Sequence, residues 1–175
     1  MYKERIVIKV GTKVMTNRDN RIVTPVLRRL VKQVAELYER GIISILVSSG
    51  SVIAGKEVLG ESSIDDETQR RQVYSAIGQP RMMRHYYNMF NDFGMKCAQV
   101  LPTKRDFSPG IHRQNMINCC EGLLAEGVIP IANEDDAVSV TMSMFSDNDE
   151  LASLIAQLMK ADKLIILTDI DGLYT

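Results

Sequence analysis

Short segments of this 175-residue chain concentrate side chains that bind or transfer charged groups. Lys9-Val10-Gly11-Thr12 sets an ammonium beside a glycine, where a ligand can approach the backbone and a phosphate can meet a mobile point charge. Ser48-Ser49-Gly50-Ser51 opens the helical run Val52 to Leu59, with small residues that leave N–H groups free to face an anion and a helix dipole that favours negative charge. Asn133-Glu134-Asp135-Asp136 and Ser146-Asp147-Asn148-Asp149 crowd carboxylates that repel one another unless a cation, an ammonium-bearing ligand or N–H donors compensate them. Thr168-Asp169-Ile170-Asp171-Gly172 ends an apolar run in acidic groups. Each has a plainer reading: a solvated lysine, an N-cap serine, a polar turn at Asn133 to Asp136 and N-capping at Asp147 to Asp149.

Two of these segments imitate motifs of other chemistry. Gly50-x4-Gly55-Lys56 has the spacing of a P-loop, but Glu57 stands where a Ser or Thr hydroxyl must ligate Mg2+, and Val52 and Ile53 crowd a loop that must wrap phosphates. The P-loop reading is rejected. An apolar strand followed by DxDG at Asp169 resembles the first motif of haloacid-dehalogenase-like phosphatases, whose leading Asp is a nucleophile. Only Leu173, Tyr174 and Thr175 follow, which argues against that family, whose further lysine and acidic motifs lie downstream, and leaves it a minor alternative. His85 and His112 lie in amphipathic segments with no partner at a catalytic spacing, and the ten methionines fall at helical intervals suited to core packing.

Composition narrows the field. Apolar residues make up 45% and charged residues 25%, so the chain can build a core without disulfides or structural metal. A net charge of −1 leaves no overall basic field for nucleic acid or an anionic membrane. Cys97, Cys119 and Cys120 have no zinc or disulfide pattern, which fits a reducing cytoplasm. The apolar stretch Ile6 to Ile8 is far too short for a signal peptide or a span.

The elements that must hold these segments alternate. Ile6 to Val10, Ile42 to Val47, Lys96 to Leu101, Val128 to Ala132 and Lys163 to Thr168 read as buried strands. Thr24 to Arg40, Gln79 to Phe93, Ile111 to Glu126 and Asp149 to Lys160 read as helices, with Gly41 stopping the first. Glu61 to Thr68 reads as a polar mobile link, and Val138 to Phe145 alternates like a small β-hairpin. The expected fold is α/β, a three-layer sandwich around a mainly parallel sheet plus that hairpin, in one domain over residues 1–175. Its ligands belong beyond the carboxyl ends of the strands, where the polar segments fall. The end at Leu173-Tyr174-Thr175, after a strand and a turn, reads as an interrupted fold.

In order and spacing, IVIKVGTKV, ILVSSGSVIAGKEVLG, SAIGQ, VIPIANEDDAV, SDNDELASLIAQLMKADKLIILTD and DGLYT together resemble the amino acid kinase superfamily and, within it, the glutamate 5-kinase family. The resemblance implies Mg2+-dependent transfer of the ATP γ-phosphoryl group to the side-chain carboxylate of L-glutamate, the first step of proline biosynthesis, in a cytoplasmic dimer or tetramer with proline as feedback inhibitor. It implies that Lys9 contacts the transferring phosphoryl group, with Gly11 and Thr12 lining its loop. Ser49, Gly50 and Ser51 hold the substrate, Asp136 receives the glutamate amino group beside Asn133, and Asn148 binds substrate. Asp149 organises the lysines, while Thr168 and Asp169 begin the nucleotide site. No protein metal ligand is implied.

Departures from the family pattern are Asp135 in place of a second Asn and Ser51 in place of a common Ala. A second lysine and the remaining nucleotide loops would follow Thr175, so the chain is expected to carry the amino-acid half of the site and little activity alone. The alternatives are an acetylglutamate or carbamate kinase, whose substrates lack the α-ammonium that Asp136 would meet, and a non-catalytic amino-acid-binding lobe.

Overall fold

The computed structural model describes residues 2–138, 145, 147–170 and 172. Five parallel strands form one sheet in the order β3-β4-β2-β1-β5: β1 Glu4–Val10, β2 Ile42–Ser48, β3 Lys96–Val100, β4 Val128–Ala132 and β5 Lys163–Leu167. Their Ile/Val-rich runs are what a sheet covered on both faces requires, because successive side chains enter opposite layers. Along β1, Ile6, Ile8 and Val10 enter one core and Val7 the other. The first core is closed by α2 Thr24–Glu39, α3 Ser51–Leu59 and α4 Glu67–Asn91, the second by α5 Ile111–Ala125 and α6 Asn148–Leu158. A single turn, α1 Thr12–Met15, follows β1. The expected three-layer α/β architecture is the observed one.

Helix α2 shows how the pattern works. Pro25 sits in its first turn, and Leu27, Leu30, Val31, Val34 and Ala35 are buried at the spacing of one helical face. Gly41 then takes φ 79°, which breaks the helix and turns the chain into β2. The expectation for α4 needs correction: it begins at Glu67 rather than Gln79. Gly78 and Pro80 look like breakers, yet both lie inside the helix, which tertiary packing of Tyr74, Met82, Met83, Tyr86, Met89 and Phe90 sustains. Asp66 caps it by accepting the Gln69 N–H at 2.6 Å, so the expected mobile link is helical from Glu67 onward. The expected hairpin at Val138 to Phe145 falls largely on residues outside the described set, as do Ser146, Asp171 and Leu173 to Thr175. Among the described residues no helix is long and apolar enough to cross a membrane.

His85 on α4 gives a pH prediction. Burial, reinforced by Arg81 and Arg84 against the opposing Glu57, lowers its pKa from the ordinary 6.5. The unfolded chain therefore binds more protons just below pH 6.5, so stability is complete above that pH and falls as the solution is acidified through it. Between pH 7.5 and 5.5 the unfolding temperature of His85→Gln should drop less than that of the parent, as followed by circular dichroism.

Candidate functional site

The connections after β1 and β2 run to helices on one face of the sheet, while those after β3 and β4 run to the other. Strands β2 and β4 are adjacent, paired at Leu46↔Ile131 and Val47↔Ala132, so the chain parts company between them. Open α/β sheets form their ligand crevice at such a point. Here a pocket of about 270 Å3 is lined by Thr12, the Ser49–Ile53 segment, Arg71, the Asn133, Glu134 and Asp136 side chains, Phe145, Asp147 and Asn148. A larger depression of about 520 Å3 at Lys3, Glu4, Arg40, Ile42 and Asp162 sits at the opposite ends of the strands and gathers no comparable polar network.

The β2 loop enters the pocket because Gly50 adopts φ 100°, a left-handed turn that glycine accepts without strain, just ahead of α3. The Ser49 N–H donates to the Val10 carbonyl at 3.2 Å, tying this loop to the end of β1. Below it, α3 and α4 cross with glycines in contact. A methyl group on Gly55 would fall 1.8 Å from the Tyr74 carbonyl oxygen, and one on Gly78 would fall 1.7 Å from that of Ser51. Gly55 is thus a packing residue within α3, and Glu57 accepts the Ile22 N–H at 2.5 Å and pairs with Arg81 at 2.8 Å. The P-loop look of this stretch has a structural cause unrelated to phosphate.

That close crossing brings Ser51 beside Ser75. Asp136, 7% exposed, has its Oδ2 at 3.5 Å from the Ser51 hydroxyl and 3.4 Å from that of Ser75. Its Oδ1 accepts from Arg71 Nη2 at 2.9 Å. A hydrogen-bond chain continues from there: Asn133 Nδ2 donates to Ser51 Oγ at 3.3 Å and to Gln79 Oε1 at 3.0 Å. Asn148 Nδ2 donates to Asn133 Oδ1 at 3.0 Å and to Ser49 Oγ at 2.6 Å. Asn148 opens α6, whose cap is Asp147 accepting the N–H groups of Asp149 and Glu150 at 2.9 and 3.0 Å. The capping explanation of Asp147 is therefore correct.

Asp149, next along α6, meets the Lys9 ammonium at 2.6 Å, and the lysine side chain is only 11% exposed. Gly11 lets β1 turn close to β5: a methyl there would lie 3.1 Å from the Leu167 carbonyl oxygen, with Lys9 Nζ in ordinary contact at 3.5 Å. Lys9 and Asp149 stand beside the pocket network rather than on its lining. Thr168 and Asp169 are exposed at the end of β5, outside that lining; Asp169 pairs with Lys13 at 3.3 Å.

Sequence reasoning passed over Arg71, Ser75, Gln79 and Glu134 as site residues. Ser75 and Gln79 sit within the SAIGQ segment, which carried the resemblance without a role for either. Glu134 is buried and accepts the Phe145 N–H at 3.0 Å; burial raises its pKa above the ordinary carboxylate value despite that bond, and Asp136 adds to the effect. Phe145 is in turn held edge-on by Phe107, 5.6 Å between ring centres. The polar residues of one loop thus divide their work: Asn133 and Asp136 face the network, and Glu134 anchors the returning chain.

The model of the amino acid kinase family matches residues 4–175. Glutamate 5-kinase of Bacteroides thetaiotaomicron is 44% identical over 170 residues, 97% of this chain and 47% of that protein. Glutamate 5-kinase of Chlorobaculum tepidum is also 44% identical over 170 residues, and that of Geobacter sulfurreducens 43% over 174 residues, 98% of this chain and 46% of that protein. The chain spans about half the length of these relatives. Among solved structures, Giardia carbamate kinase matches with a TM-score of 0.61 at 16% identity, covering 95% of this chain and 74% of that one, a likeness of fold.

Proposed function

We propose a function from one premise: the chain belongs to the amino acid kinase family. Residues 1–175 are the N-terminal, amino-acid-binding portion of an ATP-dependent glutamate 5-kinase, which makes L-glutamyl 5-phosphate. The observation that carries this reading is the buried Asp136 carboxylate, set in a small polar pocket and linked by hydrogen bonds toward the Lys9–Asp149 pair. A buried carboxylate is a matched partner for a free α-ammonium, and a sheltered lysine is a matched partner for a phosphoryl group.

In this reading Asp136 and Asn133 hold the amino end of L-glutamate. Ser49, Gly50, Ser51 and Asn148, with Gly11 and Thr12, line the way to Lys9. One oxygen of the side-chain carboxylate attacks the γ-phosphorus of ATP; the new O–P bond forms as the bond to the bridging oxygen breaks, and ADP leaves with that electron pair. A carboxylate nucleophile has no proton to lose, so the protein need only align the reactants and offset charge on the equatorial oxygens. Lys9 does the second, and Asp149 fixes its position. Thr168 and Asp169 begin the nucleotide site.

Mg2+, where the reaction uses it, would be held by the nucleotide phosphates and would offset their charge. Asp147 caps a helix, Asp149 and Asp169 pair with lysines, and among the described residues no group of three or more His, Cys, Asp or Glu side chains is arranged to hold a metal ion. The family resemblance extends the proposal to the entry of proline biosynthesis, a cytoplasmic setting, proline as feedback inhibitor and a homodimer or tetramer.

Calorimetric titration of the chain with L-glutamate, L-aspartate and N-acetyl-L-glutamate tests the reading. Saturable heat with L-glutamate alone is expected. Equal binding of the N-acetyl compound would move the assignment to an acetylglutamate kinase, and no heat from a folded chain would overturn a self-contained glutamate site.

A further inference from the structure

In the free pocket, the cation paired with Asp136 belongs to the protein. Arg71 Nη2 lies 2.9 Å from Asp136 Oδ1, while the Arg71 side chain as a whole is 52% exposed. A carboxylate 7% exposed requires compensation, and the serine hydroxyls at 3.4 and 3.5 Å are too distant to provide it alone. Arg71 is therefore the principal counter-charge. Its guanidinium makes no other hydrogen bond among the described residues, so the rest of its planar fork of donors is available to the pocket it lines.

An entering α-ammonium must take its place against the same carboxylate. Two cations then share one anion, an arrangement that is relieved only if a second anion arrives with the ammonium. An α-amino acid brings that anion on the same carbon. We propose that Arg71 is a specificity residue that turns from Asp136 to the substrate's α-carboxylate, so that Asp136 and Arg71 together read the α-amino and α-carboxylate groups as a pair; this rests on the glutamate reading above. The ligand class is a free α-amino acid, and the pair rejects amines and amino acid α-amides. A guanidinium suits the role because its fork grips a carboxylate through two parallel bonds. Placed on an exposed turn of α4, it can move without disturbing the Ser51–Ser75 contact beneath it.

The test compares L-glutamate with L-isoglutamine, in which the α-carboxylate is an amide, by calorimetry on the full chain and its variants. The parent should bind L-glutamate about tenfold to a hundredfold tighter than L-isoglutamine, the range of a hydrogen bond to a charged group. Arg71→Gln should lose that factor for L-glutamate and leave L-isoglutamine bound no more weakly, since no guanidinium then competes for Asp136, bringing the ratio toward one. Arg71→Lys, which keeps a cation for Asp136, should recover part of it and guards against damage to the fold, read by thermal unfolding. An unchanged ratio in Arg71→Gln, or equal weakening of both ligands, would mean that Arg71 serves only to hold Asp136 and would overturn the proposal. Failure of a folded parent to bind L-glutamate would instead overturn the self-contained glutamate site above and this inference with it.

Discussion

Replacing Asp136 by Ala lowers L-glutamate affinity by roughly a hundredfold or more, the effect of truncating one partner of a buried, hydrogen-bonded charge pair. Its carboxylate is 7% exposed, so an ammonium bound there is shielded from water and the attraction is correspondingly strong. Asp136→Asn should be nearly as damaging, because it keeps the shape and the contacts to Ser51 and Ser75 but removes the charge. Stability should change little in either variant. The pocket carboxylate costs desolvation energy in the folded state, and removing it leaves Arg71, itself half exposed, free to hydrate. The two readouts thus separate: calorimetry with L-glutamate collapses while the melting temperature holds. An acetylglutamate site predicts the reverse for binding, since its ligand has no ammonium, and near-parental affinity in both variants would sink the assignment of Asp136 to the amino group.

Much of this site was legible because its residues lie in loops after strands, and strands announce themselves by short Ile/Val runs. Lys9, Ser49, Asn133 and Asn148 lie in segments marked by residue type and position, but each kept a plainer reading until the ordered segments supplied the family resemblance; the crevice between β2 and β4 brings Ser49, Asn133 and Asn148 into one network. Asp136 was legible as one of several clustered carboxylates, but periodicity could not tell it from Glu134. The two differ in what tertiary structure offers each: a guanidinium and two hydroxyls for Asp136, a backbone N–H of Phe145 for Glu134. Arg71 and Ser75 were hidden for a different reason. They lie on α4, whose amphipathic pattern is interrupted by Gly78 and Pro80, so the helix was expected to start after them. A residue cannot be assigned to a pocket when the element carrying it is unread. Gly55 stands out in the sequence only for a P-loop spacing that Glu57 rules out, because spacing records that a glycine is present and packing alone records what it lets approach.

Gly78→Ala should lower the unfolding temperature and weaken L-glutamate binding, although alanine is the better helix former. Two opposing terms decide the sign. The substitution inside α4 gains about 1 kcal/mol in helix propensity. Against this, the new methyl would lie 1.7 Å from the Ser51 carbonyl oxygen and 2.4 Å from the Gly55 backbone nitrogen. Both are backbone atoms, so no rotamer change relieves the overlap and α3 must move away from α4. Overpacking of this kind costs roughly 3 kcal/mol or more, leaving a net loss of about 2 kcal/mol, or roughly 4–8 °C in unfolding temperature for a domain of this size. The displaced segment carries Ser51, whose hydroxyl touches Asp136, Asn133 and Ser75, so the loss of stability should be accompanied by a loss of affinity. Gly122→Ala on α5 supplies the contrast. It is also a helical glycine, but nothing lies within 4 Å of its would-be methyl, and the same exchange there should raise the unfolding temperature. Scanning calorimetry of the two variants reads both signs at once. If Gly78→Ala melts at or above the parent, the close crossing of α3 and α4 is not what seats Ser51 in the site.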